Sequence, residues 1–337
     1  MLRFAFLNPA AFTASQRWAK VCDMELQRVK PSASSRGIST AIRRLLWGGL
    51  IVCASILVVL IGAGVFLAYQ ITTARDAVEN VTPASYLLSN YENVSFTDSD
   101  GAVHQGWLLI GLRGAPAVIL CHGYDSNRSS MLSLGTELQA NHFNVYLFNF
   151  EASGSRRGFS NLGVHEAAVL QSAIARVRTL PGVNPNRIGL YGYSLGAYAA
   201  LVASEHDAEI DALAVDSVYS EPSQMFDVQM DRLLGGAGAL FRLISGTEFR
   251  IFSWGTNSPD VRSGLSKLAG KPKLFVASDD APALEVSTRR LYEDAPQPKR
   301  LVVLPHAQSS AESGPERKEY EEQILNFFLY NLPLRSD

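Results

Sequence analysis

The feature that most limits what this chain can become is the run Leu45–Tyr69, 25 residues without one charged side chain. A helix needs about 20 apolar residues to cross a hydrocarbon core of about 30 Å. A helix buried in a globular domain usually keeps a polar face over such a length, and this run has none. It therefore reads as a transmembrane helix, with Trp47 and Tyr69 near its ends, where amphipathic rings favour the membrane interface. A cleaved signal peptide has an apolar region of only about 7–15 residues and a small-residue cleavage site. The longer run here, with no clear A-x-A site after it, reads as a retained signal anchor.

The flanks give it a direction. Arg3, Arg17, Lys20, Arg28, Lys30, Arg36, Arg43 and Arg44 precede the run against Asp23 and Glu25, whereas Arg75 alone follows it before Asp76 and Glu79. Basic residues stay on the cytoplasmic side. The expected organisation is a cytoplasmic basic tail over 1–44, mobile in its first 40 residues, then the anchor over 45–69 and a linker over 70–93. A globular domain over 94–331 and a tail over 332–337 follow, on the periplasmic or lumenal side. Across the chain 30 basic residues meet 32 acidic ones, a net charge of −2, so there is no basic excess to bind nucleic acid. The three cysteines, Cys22, Cys53 and Cys121, form no CxxC pair, which excludes a disulfide framework or a zinc knuckle as the organising device.

Beyond the anchor, short apolar runs alternate with segments of helical period. Strands are expected at Val94–Thr97, Val103–Ile110, Ala117–Cys121, Val145–Phe150, Ile188–Tyr193, Ala212–Asp216, Leu274–Ala277 and Leu301–Leu304. Helices are expected at Ser129–Asn141, Glu166–Thr179, Leu195–Ser204, Leu284–Glu293 and Glu316–Asn331. Alternation of this kind makes a mostly parallel sheet covered by helices on both faces, an α/β architecture. The stretch 221–259 breaks the rhythm and reads as a lid or cap insertion. Its Met225, Met230, Leu233, Leu234, Leu240, Phe241 and Phe249 fit a cap core or an acyl pocket.

One turn carries chemistry. The strand ending at Tyr191 enters Gly192-Tyr193-Ser194-Leu195-Gly196 and then a helix-forming AYAALVAS. In this strand-turn-helix setting G-x-S-x-G is a nucleophile elbow, whose glycines let backbone segments approach while the turn raises the serine hydroxyl above the sheet. The helix start behind it supplies unpaired N–H groups. A second strand, Val118-Ile119-Leu120-Cys121, runs into His122-Gly123-Tyr124.

With these two motifs the sequence resembles the α/β-hydrolase superfamily over residues 94–331, and is most similar to its serine-hydrolase, esterase- or peptidase-like group with membrane-anchored members. The resemblance implies an eight-stranded α/β-hydrolase fold with Ser194 as nucleophile and an oxyanion hole made by the N–H groups of Leu195 and Tyr124. It makes His122 a structural loop residue. The acid is expected after the seventh strand, at Asp280 in preference to Asp279, with Asp216 after the sixth strand as a third option. The family places its histidine about four residues beyond the proline that ends the eighth strand. This chain has Ser309 there, and His306 is the nearby imidazole. The site pattern departs elsewhere too. Asn149-Phe150-Glu151-Ala152-Ser153-Gly154-Ser155 stands where the family has Asp-x-Arg-Gly-x-Gly-x-Ser, and Val169 stands where an Asp is common after Glu166.

The implied function is hydrolysis of a carboxylic ester, thioester or amide through an acyl-enzyme, with no metal and no organic cofactor. The substrate would be a small-molecule, lipid or peptide acyl compound. The alternative is a catalytically impaired hydrolase-like domain used for binding, and the 305–314 loop separates the two because a base must come from it.

Overall fold

A computed structural model describes residues 33–73, 79, 81–152, 160–235, 260–306 and 314–334. The expected mobile tail therefore lies largely outside the described residues, as do Leu240, Phe241 and Phe249 of the insertion. The chain divides into two compact units, residues 1–59 and 60–337.

Helix α1, Ala33–Thr72, is longer at both ends than its uncharged stretch. At 1.5 Å per residue its 40 residues extend about 60 Å, so only about half of it matches a hydrocarbon core. It is one helix long and apolar enough to cross a membrane. Its last turns belong to the second unit: Ala68 and Ile71 are buried in that unit's core. The helix end is closed locally, with the Thr72 and Thr73 hydroxyls donating to the carbonyls of Ala68 and Tyr69 at 2.7 and 2.6 Å.

All eight expected strands form: β1 Tyr91–Thr97, β2 Val103–Leu109, β3 Ala115–Cys121, β4 Asn144–Phe148, β5 Val183–Tyr193, β6 Ile210–Asp216, β7 Lys273–Ser278 and β8 Lys299–Leu304. They make one sheet in the order β1-β2-β4-β3-β5-β6-β7-β8. β2 runs antiparallel to both neighbours, and the pairs from β4 through β8 are parallel. Every residue of β3, β4 and β7 is buried, as a strand covered on both faces requires. At the edge, β8 is half open and carries Lys299 and Arg300, charges that discourage pairing with another chain.

The covering helices are α2 Leu132–Ala140, α3 Val164–Arg178, α4 Leu195–His206, α5 Pro222–Leu234, α6 Pro282–Asp294 and α7 Pro315–Asn331. Two apolar cores result, one per face of the sheet. The first gathers residues of α3, α4 and α5 with the end of α1, and the second joins α2 to α7. α5 occupies the described part of the insertion and buries Met225 and Met230, while Leu233 stays exposed. Because β3, β5, β6, β7 and β8 run parallel, the loops after them all open on one edge of the sheet, where α/β proteins bind ligands. That edge receives His122, Ser194, Asp216, Asp280 and His306.

Candidate active site

Ser194 stands between β5 and α4 with φ 51° and ψ −111°, a backbone conformation that costs a non-glycine residue free energy unless the surroundings enforce it. The enforcement is visible. The Ser194 N–H donates to Asp216 O on the adjacent strand at 2.9 Å, and Ser194 O accepts from the N–H groups of Ala197 and Tyr198. The two flanking glycines are required by space: a Cβ on Gly192 would strike the Gly196 carbonyl, and one on Gly196 would strike the carbonyls of Cys121 and His122. The turn is thus wedged against the end of β3 and the start of the following loop, which carries Tyr124. Leu195 opens α4, so its N–H has no partner within the helix.

The Ser194 side chain is 3% exposed, and its hydroxyl contacts Met225 Sδ at 3.9 Å. An apolar thioether from the insertion therefore lies on the nucleophile position. Among the described residues no imidazole hydrogen-bonds to that hydroxyl.

His306 follows β8 and lies between two carboxylates. Its Nδ1 is 3.5 Å from Asp280 Oδ2, and its Nε2 is 3.3 Å from Glu316 Oε2 at the start of α7. The structure therefore brings His306 to Asp280, the acid preferred over Asp279, and adds Glu316, a residue that sequence reasoning used only as the start of a helix. No spacing signal could have found this contact, since it joins a loop to a helix ten positions downstream. The ring is 40% exposed.

Asp216 has other partners. It is fully buried, its Oδ2 accepts from the Tyr320 phenol at 2.6 Å, and its Oδ1 accepts from Ser217 and Ser278 hydroxyls at 2.8 and 3.5 Å. Tyr320 and Tyr191 share a further 2.6 Å hydrogen bond. Burial, reinforced by the nearby Asp216 carboxylate, pushes both phenols well above their ordinary pKa, so both keep their protons. The ensemble ties α7 to β5, which leads into Ser194, and to its neighbour β6.

His122 is fully engaged in holding the loop after β3. Its Nδ1 bonds Gly123 O at 2.9 Å, and its Nε2 accepts the Phe150 N–H at 3.1 Å. Burial lowers its pKa from 6.5 to about 4 despite attraction from Glu166 and Glu79. It is a neutral, structural imidazole. Two residues on, the Tyr124 phenol donates to Ile71 O in the last turn of α1 at 2.8 Å. Ser160 N–H donates to the next carbonyl, Thr72 O, at 2.7 Å, and Ser160 Oγ donates to Glu166 at the start of α3. Of the altered family segment, Glu151 lies 3.7 Å from His122 Nε2, and residues 153–155 lie outside the described residues.

A family model described as alpha/beta hydrolase family matches residues 118–323, more than half of the chain. The chain belongs to the alpha/beta hydrolase family. Among curated relatives of this chain, the uncharacterized protein YfhR of Escherichia coli O157:H7 is 29% identical over 250 residues, covering 71% of this chain and 80% of YfhR. The thiohydrolase aneE of Aspergillus aculeatus is 27% identical over 124 residues, covering 36% of this chain and 39% of that one. Among solved structures, the Pyrococcus furiosus esterase Pf2001 superposes with a TM-score of 0.62 at 20% identity, covering 78% of this chain and 98% of the esterase. At that identity the likeness establishes the shared fold.

Proposed function

We propose that this chain is a membrane-anchored serine hydrolase that cleaves a carboxylic ester, thioester or amide through an acyl-enzyme on Ser194. The observation that carries the reading is the Ser194 turn, a strained non-glycine conformation held at the head of a helix between two glycines that steric contact makes obligatory. Strain of this kind is retained where a side chain must be presented for chemistry.

Ser194 Oγ attacks the acyl carbon while its proton passes to His306 Nε2, and Asp280 stabilises the resulting imidazolium through Nδ1. The tetrahedral oxyanion is received by the N–H groups of Leu195 and Tyr124. Collapse expels the alcohol, thiol or amine, which takes the proton from His306, and water then releases the acid by the reverse transfers. In the resting arrangement His306 Nε2 faces Glu316, so the proton relay requires the ring to leave that carboxylate for the serine. The activities in the names of the thiohydrolase and esterase neighbours belong to the same class of acyl chemistry. The excess of basic residues before the apolar run supports a catalytic domain on the non-cytoplasmic side.

The second reading, a hydrolase-like domain that binds without turning over, is favoured by one observation: among the described residues the Ser194 hydroxyl contacts Met225 and no imidazole. A fluorophosphonate probe on the full-length chain separates the two. An activated Ser194 takes the label covalently, and Ser194→Ala loses it. Labelling that survives the substitution, or no labelling of a folded chain, discards the hydrolase mechanism.

A further inference from the structure

We infer that Tyr320 is a positioning residue for the reaction: through the Asp216 carboxylate it holds in fixed register the segment ends that carry Ser194, Asp280 and the Glu316 carboxylate facing His306. The inference rests on the serine-hydrolase reading of Ser194.

Asp216 ends β6 and holds in two directions. Its backbone carbonyl accepts the Ser194 N–H at 2.9 Å, so it is the strand residue against which the nucleophile turn is set. Its buried side chain reaches two other elements. Oδ2 accepts from the Tyr320 phenol of α7 at 2.6 Å. Oδ1 accepts from Ser278, the last residue of β7, at 3.5 Å, and from Ser217 of its own segment at 2.8 Å. Asp280 stands two residues past Ser278. Between them the Asp279 N–H donates to Leu304 O, at the end of β8 and two residues before His306, at 3.1 Å. Tyr320 stands one helical turn past Glu316, whose carboxylate faces His306 Nε2. One carboxylate therefore joins the support of the nucleophile to the segments of the acid and the base.

The chemistry of this junction suits a fixed position better than general adhesion. A carboxylate taken from water is costly unless strong donors meet it, and short O–H···O⁻ bonds are among the strongest. Burial keeps the proton on Tyr320, which donates it to Asp216, and Tyr191 of β5 then donates to Tyr320 at 2.6 Å. That order leaves the phenol one place to sit. Adhesion of α7 is supplied elsewhere, by Ile324, Phe327 and Phe328, buried in the same apolar core as Leu274 and Val276. Loss of the Tyr320 hydroxyl would leave the helix docked but free to shift its first turn. A displacement of about 1 Å at a reacting group costs on the order of 100-fold in rate.

The test uses the full-length chain in detergent, with a fluorophosphonate to count working serines and 4-nitrophenyl butyrate to measure turnover. Tyr320→Phe is expected to lower kcat and the labelling rate about 10–100-fold, with KM within about 3-fold. The end point should still reach nearly one label per chain, because the folded fraction is unchanged. Tyr146→Phe is the control: it removes a buried phenol that donates to Val94 O at 3.0 Å on the β1 side of the sheet. It should lower the urea midpoint and leave the labelling rate as it was. If Ser194 of the unmodified chain stays unlabelled, the serine-hydrolase reading falls and the inference with it. If Ser194 is labelled, three results overturn the positioning role while the nucleophile stands. They are an unchanged rate in Tyr320→Phe, a lower end point at unchanged rate, or equal slowing in Tyr146→Phe. Should Tyr320→Phe fail to fold, Ser278→Ala carries the test at the weaker contact. Labelling about 3-fold slower to a full end point supports the role, and an unchanged rate overturns it.

Discussion

After β3 the buried His122 ring donates to one backbone carbonyl and accepts from the Phe150 N–H, so a proton added at Nε2 would displace that hydrogen bond and place a charge in a buried site, with the Glu151 carboxylate 3.7 Å away to attract it. That has a measurable consequence for stability. The folded-state pKa of about 4 lies below the ordinary 6.5, so between those values the unfolded chain binds a proton that the folded chain refuses. Stability should therefore fall as pH drops from 6.5 toward 4, by an amount on the order of 3 kcal/mol from this group. Urea unfolding at several pH values in that window, compared with His122→Asn, checks it. The variant should lose this part of the slope, and an unchanged slope would refute the assignment. A second prediction concerns the two carboxylates on His306. Under the proposed mechanism His306→Ala should cost as much hydrolysis as Ser194→Ala, roughly 1,000-fold or more, because triad members act as a unit. Glu316→Gln should leave turnover within a few-fold, since that carboxylate holds Nε2 only in the resting arrangement. Ester hydrolysis by the three variants decides this, and a severe loss in Glu316→Gln would make Glu316 a working partner of the histidine.

The β5–α4 junction stores its strain in a place with no slack. Gly196→Ala would drive a methyl group into two backbone carbonyls at the end of β3, which cannot rotate away as a flexible side chain would. The expected cost is about 2–3 kcal/mol of stability, with loss of probe labelling even where the chain still folds. Chemical denaturation together with fluorophosphonate labelling tests both halves, and a variant of unchanged stability would contradict the close packing of these strands. The element boundaries repeat the lesson in milder form. Buried apolar runs announced all eight strands, yet β5 begins at Val183, five residues before its apolar run, because Val183 pairs with Ala115 across an irregularity whose polar residues 184–187 carry no strand period.

For the molecule as a whole, the end of α1 belongs to the core of the domain as well as to the long apolar helix. A fragment beginning at residue 75 would lose Ala68 and Ile71 from the core and the bonds from Tyr124 and Ser160 to the helix carbonyls. Burying one isoleucine is worth about 1.5–3 kcal/mol and each hydrogen bond about 1 kcal/mol. A domain of this size shifts about 2–4 °C per kcal/mol. The fragment 75–337 should therefore melt about 5 °C or more below the fragment 60–337, as calorimetry would show, and equal melting would mean that the helix end is only a tether. Orientation is tested separately. A reporter fused after Asp337 should be active on the non-cytoplasmic side alone, given the eight basic residues before the apolar run.

Local chemistry was enough to reveal the apolar helix, the alternation of strands and helices, and Ser194 at its turn. Uncharged length, periodicity of burial and a glycine-serine-glycine spacing are each written in neighbouring residues. His122 as a structural loop residue was instead what the family resemblance implied, and its bonds to Gly123 and Phe150 agree with that role. The partners of the remaining site residues were decided only in three dimensions. Asp280 meets His306 because β7 and β8 lie side by side. Asp216, an open option for the acid by position, is instead held by Tyr320 from a helix about a hundred residues away. Glu316 reached His306, and Tyr124 reached Ile71, through contacts between segments whose separation in the chain carries no pattern. Periodicity encodes which face of an element is buried. Which distant side chain lies against that face depends on how the packed layers come to rest, and that is a property of the tertiary structure alone.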